Sequence, residues 1–265
     1  GTTIFGMPHF VYMMVLVSPQ DSQVNCSGRP ETSMIIHVEM HDRERYAREI
    51  SNYFRLRKAV FHDRLGWNVV VQGDEERDVV DDLPCTYALS LDGTGAVNAG
   101  ARLIPTTQTT LLDLAFDGLV PEGISFRAPT IWEVSRLCVD EANAGERLSA
   151  GLAMANLELA LANFDYARRN GVTHYLTVTE RRVYELTRLF DMGVELLGHQ
   201  TIDGCPVVCG LIAIDERTLA AAERMRPLTR GRPPSGRGAT SHAPAPAAPR
   251  SDRGTSEPTT RSRQE

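Results

Sequence analysis

The sequence lacks long apolar runs. Nothing in it approaches the ~18 consecutive apolar residues of a membrane-spanning helix. The short apolar run at residues 10–17 is not preceded by the basic residues that begin a secretory signal peptide. We therefore expect neither secretion nor membrane insertion. The hydrophobic fraction of 42% is ordinary for a globular protein.

Cysteine pairs of the kind that bind metals or exchange electrons are also missing. The five cysteines are an odd number, and no two of them are separated by two residues. Cys205 and Cys209 lie among valines, which favours buried thiols over a metal site. The pattern predicts a reduced, cytoplasmic protein without a metal.

Lysine is nearly absent, since Lys58 is the only one among the 28 basic residues. The charges are unevenly divided along the chain. Residues 34–225 contain 19 basic and 29 acidic residues, a net −10, whereas residues 226–265 contain eight arginines and three acids, a net +5. A body this acidic is a poor general binder of nucleic acid, so we expect no nucleic-acid partner.

Composition divides the chain into three parts. Residues 1–33 show no usable periodicity, and we expect a poorly ordered N-terminal extension there. Residues 34–225 have the length and patterning of one folded domain. Residues 226–265 hold seven of the fifteen prolines with arginine, glycine, serine, threonine and alanine, which predicts a disordered tail.

Within the folded part, strands and helices alternate. The pattern predicts a helix at 43–61 ended by Gly66, and a hairpin that turns at residues 92–95. Further helices are predicted at 149–170 and 180–189. The strands are predicted at 34–38, 86–91, 96–104, 131–139, 174–179, 194–197 and 206–214. This order is typical of an α/β sheet with helices on its faces.

The strand at 131–139 carries two charges, Glu133 and Arg136, that a buried strand would not hold unpaired. Residues three apart on a regular strand point to opposite faces. Both side chains can face one cavity only if the strand bulges near 134–135. The alternative is an edge strand with both charges in solvent.

Four blocks in order resemble the acyl-homoserine-lactone synthases, the LuxI-type autoinducer synthases. They are 56–61 (Leu-Arg-Lys-Ala-Val-Phe) with 65–67 (Leu-Gly-Trp), 76–81 (Glu-Arg-Asp-Val-Val-Asp), 101–107 (Ala-Arg-Leu-Ile-Pro-Thr-Thr) and 132–136 (Trp-Glu-Val-Ser-Arg). The resemblance implies an N-acetyltransferase-like three-layer α/β/α sandwich with a splayed mixed β-sheet. It also implies acyl transfer from acyl carrier protein to the amine of S-adenosylmethionine, followed by lactone formation and release of methylthioadenosine. S-adenosylmethionine is then a substrate, and no cofactor is expected.

The resemblance also assigns residues to the site. Glu133, Arg102 and Ser135 are placed in catalysis, with Glu133 as the candidate base for the substrate amine. The predicted S-adenosylmethionine-binding residues are Arg57, Phe61, Trp67, Asp78, Asp81, Phe116 and Arg136. Arginine suits the substrate carboxylate, and aromatic faces or acids suit the sulfonium. Two alternatives remain: the charges form a buried network without substrate, and Ser135 serves only the strand.

The acyl chain and its carrier protein need their own surfaces. The predicted acyl pocket comprises Leu152, Met154, Leu176, Thr177 and Thr179. The predicted carrier-protein patch comprises Arg168, Arg169, Arg181, Arg182 and Arg188, because an acidic carrier needs a basic patch on an acidic enzyme. An ordinary solvated helix face is the alternative for these arginines.

The first rival function is an acetyl-coenzyme A N-acetyltransferase of the same fold. Such an enzyme needs a glycine-rich pyrophosphate loop, and residues 143–151 (Asn-Ala-Gly-Glu-Arg-Leu-Ser-Ala-Gly) have too few glycines at the wrong spacing. A carrier-protein donor is therefore favoured. The second rival, a non-catalytic partner-binding protein, leaves the cluster of charges unexplained.

Overall fold

The computed structural model describes residues 34–116, 118–141, 153–189, 191–202 and 204–230. Several predictions fall wholly or partly outside these ranges. They are the N-terminal extension at 1–33, the part of the tail at 231–265, Leu152 of the acyl pocket, the first residues of the helix predicted at 149–170, and the segment 143–151 that was compared with a pyrophosphate loop.

Nine strands and five α-helices lie within the described residues. The strands are β1 (Met34–Val38), β2 (Val71–Gln72), β3 (Glu75–Glu76), β4 (Thr86–Leu91), β5 (Val97–Pro105), β6 (Ile131–Val139), β7 (His174–Glu180), β8 (Val194–Ile202) and β9 (Cys205–Ala213). The helices are α1 (Ala47–Arg57), α2 (Leu111–Ala115), α3 (Met154–Arg169), α4 (Arg181–Leu189) and α5 (Glu216–Arg230). Helix α1 continues as a π-helical segment, Lys58–Arg64, and Gly66 follows it with the left-handed φ of 67° expected of the predicted cap.

Seven strands form one mixed sheet in the order β1-β4-β5-β6-β7-β9-β8. Strands β6 and β7 are parallel, and the other neighbours are antiparallel. The parallel pair runs only from Ile131 beside His174 to Val134 beside Thr177, although both strands continue further. The two strands therefore separate in the middle of the sheet, which confirms the predicted splay.

Side-chain alternation along the strands produces two apolar layers. On one face, Phe54 of α1 packs in a cluster with Tyr87, Leu89 and Leu176. On the other face, α3 and α5 pack in a second cluster that includes Leu157, Leu103, Tyr175 and Ala222. The sheet thus lies between two helical layers, and the predicted α/β/α sandwich is confirmed.

The predicted start of the tail at residue 226 is wrong for its first five residues, because α5 continues to Arg230. Arg226 holds this part of the helix by donating to Asp165 of α3 at 2.6 Å and to Glu223 at 2.7 Å. These contacts join α5 to α3, and no local signal of composition reveals them. Between α1 and β4, strand β2 pairs with β3 in a small hairpin for which no strand was predicted.

No helix within the described ranges has the length and apolarity needed to cross a membrane. Across the same ranges, no group of three or more histidine, cysteine, aspartate or glutamate side chains is arranged to hold a metal ion.

Candidate active site

Strand β6 bulges at Arg136. Ala101 of β5 faces two residues, Arg136 and Leu137, where regular pairing allows one. Arg136 has a φ of 54°, in the left-handed region that few non-glycine residues adopt. The predicted bulge is confirmed, but its position at 134–135 is wrong by two residues because pairing with β5 stays regular through Ser135. Arg136 is only 3% exposed, which rules out the alternative of an edge strand in solvent.

Three arginines and three carboxylates form one buried network beside this bulge. They come from α1, β3 and the turn after it, β5 and β6. The members are Arg57, Glu76, Asp78, Asp81, Arg102 and Arg136. Their formal charges sum to zero. Glu76, which was not among the predicted site residues, supplies the third acid, and Glu133 is not a member.

Asp81 and Asp78 are the shared acceptors of the network. Arg57 donates to both oxygens of Asp81 at 2.9 Å and also contacts Glu76. Arg102 donates to Asp78 at 2.6 Å and to Asp81 at 2.8 Å. Arg136 lies 2.8 Å from Glu76 and 2.6 Å from Asp78. Every arginine thus joins at least two carboxylates and every carboxylate at least two arginines, with Arg57 also 3.9 Å from Asp78.

The two aspartates of the network keep their charges at neutral pH. Burial alone would raise the pKa of Asp78, but the guanidinium groups of Arg136 and Arg102 lower that pKa to about 2. Burial likewise opposes ionisation of Asp81, and Arg57 and Arg102 hold its pKa well below the usual range. The side chain of Asp78 is 8% exposed, whereas the side chains of the other five members are fully buried.

A short turn positions the two aspartates. It is a single 3-10 turn, Val79–Asp82, in which Asp78 accepts from the backbone N–H of Val80 at 2.9 Å. Asp81 reciprocates by accepting from the backbone N–H of Asp78 at 2.9 Å. Tyr87 of β4 donates its hydroxyl to Asp81 at 3.1 Å, which adds a fixed partner from the sheet.

Arg43, which is not among the predicted site residues, anchors the segment after this turn. Its guanidinium donates to the carbonyl oxygens of Asp81 at 2.8 Å, Leu83 at 3.2 Å and Cys85 at 3.1 Å. It also lies over the ring of Tyr87, 5.0 Å from the ring centroid. Backbone carbonyls carry no sequence signal, so no pattern could have identified this residue.

Glu133 lies outside the ion network and is 1% exposed. Its carboxylate accepts from the backbone N–H groups of Leu111 at 3.1 Å and Leu112 at 2.9 Å, in the first turn of α2. Burial raises the pKa of Glu133, while these N–H groups, Arg102 and the Ser135 hydroxyl oppose the rise. The Ser135 hydroxyl also accepts from Arg102 at 3.4 Å, so it links the carboxylate to the network.

Two predicted aromatic residues stack beside the network. The rings of Phe61 and Trp67 are nearly parallel, at 8°, with centroids 5.1 Å apart. The Arg136 guanidinium lies 5.7 Å from the centroid of the Phe61 ring. Phe61 is buried and Trp67 is half-buried, so Trp67 offers the accessible face. Phe116, also buried, belongs to the same apolar cluster as Phe61.

The predicted acyl-pocket residues do not share one face of the sheet. Leu176 belongs to the cluster on the α1 face, whereas Met154 belongs to the cluster on the α3 face. Thr177 and Thr179 alternate with Leu176 along β7 and so point to the α3 side. That these residues line one acyl pocket stays a prediction. One ligand can contact residues on both faces of the sheet only where it passes between the separating strands β6 and β7.

The predicted carrier-protein patch has fewer unpaired charges than its sequence implies. On α4, Arg181 and Arg188 both approach Glu185, at 4.0 Å and 3.4 Å. Arg182 is exposed on the same helix, and Arg168 and Arg169 are exposed at the end of α3. The basic surface is thus concentrated on these last three residues.

The family model described as autoinducer synthase matches residues 41–214. The acyl-homoserine-lactone synthase of Agrobacterium fabrum is 30% identical over 170 residues, which cover 64% of this chain and 81% of that protein. The synthase of Acinetobacter nosocomialis is 32% identical over 171 residues, covering 62% and 91%. The chain belongs to the autoinducer synthase family.

Solved structures agree with this assignment. The acyl-homoserine-lactone synthase LasI is 26% identical with a TM-score of 0.63, covering 72% of this chain and 94% of LasI. TofI, solved with an inhibitor and MTA, is 27% identical with a TM-score of 0.58, covering 73% and 97%. The CoA-dependent synthase BjaI, solved with SAM and isopentyl-CoA, has a TM-score of 0.65 at 24% identity and supports the fold alone.

Proposed function

We propose that the chain makes an N-acyl-L-homoserine lactone from S-adenosylmethionine and an acyl-acyl carrier protein, and releases methylthioadenosine. One observation carries the proposal. Six of the seven predicted S-adenosylmethionine-binding residues, all except Phe116, converge beside the point where β6 and β7 separate, although they are scattered over residues 57–136. Family membership gives this convergence its chemical meaning.

The geometry divides the predicted binding residues into two roles. Trp67 and Asp78 have accessible surface, so they are assigned to the cationic parts of S-adenosylmethionine. Arg57 and Arg102 are fully buried and bound to carboxylates, so they position those carboxylates without touching the substrate. Arg102, expected in catalysis from the sequence, is therefore assigned a positioning role.

Glu133 is assigned as the base of the first step. Each of its oxygens accepts one backbone N–H and one also accepts from Ser135, so one carboxylate oxygen keeps a lone pair for a proton. Because burial raises its pKa, it is a stronger base than an exposed glutamate. It takes a proton from the substrate ammonium, directly or through one water molecule.

The two chemical steps then balance without an enzyme nucleophile. The freed amine attacks the thioester carbonyl carbon, a C–N bond forms and the C–S bond breaks. One proton of the attacking nitrogen passes to the departing sulfur, so the carrier leaves as a thiol. Next the carboxylate of the acylated substrate attacks the carbon bonded to the sulfonium. A C–O bond closes the lactone ring, the second C–S bond breaks, and methylthioadenosine departs. The enzyme's task in this second step is positioning.

Methylthioadenosine release tests the proposal. The purified chain is supplied with S-adenosylmethionine and butyryl-, octanoyl- or tetradecanoyl-acyl carrier protein, and the lactone is identified by mass spectrometry. Release with at least one donor, and a lactone of matching chain length, is the expected result. Parallel reactions with the same acyl groups on coenzyme A distinguish the donors. Absence of methylthioadenosine with every donor contradicts synthase activity.

An acetyl-coenzyme A N-acetyltransferase would consume acetyl-coenzyme A with an amine acceptor and without methylthioadenosine release. The same assay therefore separates the two functions. Since acyl carrier protein and S-adenosylmethionine are products of cytoplasmic metabolism, the proposed location is cytoplasmic, with no nucleic acid as partner.

A further inference from the structure

The left-handed backbone at Arg136 needs support from the rest of the fold. A non-glycine residue in this region is strained and persists only where its surroundings determine its conformation. The conformation gives β6 its extra residue and places the Arg136 guanidinium among Glu76, Asp78 and the Phe61 ring. A contact that fixes this backbone therefore also fixes the Arg136 guanidinium relative to Asp78 and the Phe61 ring.

Tyr53 of α1 makes the contact that supports the bulge. Its hydroxyl donates to the carbonyl oxygen of Arg136 at 2.8 Å, and both groups are buried. Its ring lies so close to Gly100 of β5 that a Cβ at that position would be 2.5 Å from the ring. The Arg57 guanidinium lies over the same ring, 5.4 Å from its centroid. Tyr53 thus fits its place only because residue 100 is glycine.

We propose that Tyr53 is a positioning residue for the S-adenosylmethionine site, acting through the backbone of Arg136. This inference rests on the proposed function and extends it to a residue outside the predicted site. Tyr53 is fully buried and touches no substrate. Its hydroxyl sets the direction of the Arg136 side chain, and Arg136 in turn orients Asp78 at the accessible side of the network.

The competing explanation is that Tyr53 is an ordinary core tyrosine, since its ring also packs against Phe54 and Tyr87. The chain offers a matched control for that role. Tyr175 on β7 donates its hydroxyl to the carbonyl oxygen of Asn163 at 2.8 Å, buried on the opposite face of the sheet. Loss of either hydroxyl removes one buried hydrogen bond to a backbone carbonyl and keeps the aromatic ring.

The experiment compares Tyr53→Phe with Tyr175→Phe. Both variants are expected to lower Tm by similar amounts. Tyr53→Phe is expected to raise the KM for S-adenosylmethionine roughly three- to tenfold, the scale of one lost hydrogen bond, and to leave the KM for acyl carrier protein unchanged. The Kd for S-adenosylmethionine, measured by calorimetry without acyl donor, should rise by the same factor. Tyr175→Phe should leave these constants near those of the unmodified chain.

A double-mutant cycle tests the route of action. In an Arg136→Gln background, Tyr53→Phe should produce little further change in the Kd for S-adenosylmethionine, because the side chain that it positions is gone. Equal constants for Tyr53→Phe and Tyr175→Phe would overturn the inference, as would full additivity with Arg136→Gln. If the unmodified chain releases no methylthioadenosine with any donor, the proposed function itself fails, which is a different result.

Discussion

Replacement of Glu133 by glutamine tests the proposed base with little change in shape. The substitution keeps the size of the side chain and removes its ability to take a proton from the substrate ammonium. General-base catalysis contributes about 10²–10⁴-fold to a rate. We therefore expect Glu133→Gln to lower kcat by about that factor and to leave the KM for S-adenosylmethionine nearly unchanged.

The effect on stability is smaller and can be worked out from the contacts. Both oxygens of Glu133 accept backbone N–H groups, from Leu111 and Leu112. The amide NH₂ of glutamine cannot accept, so one buried N–H loses its partner at a cost of ~1–3 kcal/mol. Against a typical total of about 5–15 kcal/mol, the variant remains folded. Urea unfolding at neutral pH measures this loss.

Thr110→Ala separates the chemical role of Glu133 from its contact with α2. Thr110 caps α2 and exchanges hydrogen bonds with Asp113, so its loss weakens the same helix turn by about 1 kcal/mol and keeps the carboxylate. We expect this variant to keep most of its turnover. Near-normal turnover of Glu133→Gln, or an equal loss in Thr110→Ala, would refute the assignment of Glu133 as the base.

The pH profile gives an independent check of the same assignment. Burial raises the pKa of Glu133, so the base becomes protonated at a higher pH than an ordinary glutamate. The rate should therefore fall on the acid side with an apparent pKa above the ordinary value of about 4.3. The residual rate of Glu133→Gln should lack this acid limb.

Three further outcomes are expected. Trp67→Ala should raise the KM for S-adenosylmethionine about tenfold, with Trp67→Phe closer to normal, because a ring face is retained. Gly198→Ala should lower the free energy of unfolding in urea by about 1–3 kcal/mol, because the added Cβ would lie 1.8 Å from the Leu119 carbonyl oxygen. Gly193→Ala is the control, because its Cβ would make only ordinary contacts. The pKa of Asp78 is lowered to about 2, so its ionised form adds to the free energy of unfolding above pH ~4. Acid unfolding should show that this contribution is lost as the pH falls towards 2.

Much of the fold follows from local patterns in the sequence. The turn at 92–95 and the β-branched runs predict the strands, and the three- and four-residue steps before Gly66 predict α1. Helix α5 does not follow: no helix was predicted after residue 189, and the part of α5 beyond residue 225 depends on the contact of Arg226 with α3. Local composition is a weak guide wherever a tertiary contact decides the structure.

The candidate site was partly predictable for a similar reason. Unpaired charges on one strand predicted a bulge and buried partners, and both exist at Arg136. Glu76 was missed, although a sequence signal for it exists. It lies two residues before Asp78, and residues two apart in an extended segment share a face. Tyr53 and Gly100 could not be found, because their fit depends on the distance between α1 and β5.

The ion network is better explained by orientation than by stability. Replacing a whole buried ion pair with apolar side chains is often neutral or stabilising, whereas removing one partner costs about 3–5 kcal/mol. In this network five members are fully enclosed, and only Asp78 has an exposed part. The enclosed charges therefore fix the direction of one carboxylate. With a pKa of about 2, that carboxylate is negative at any physiological pH, which suits a fixed partner for a substrate with a permanent sulfonium charge.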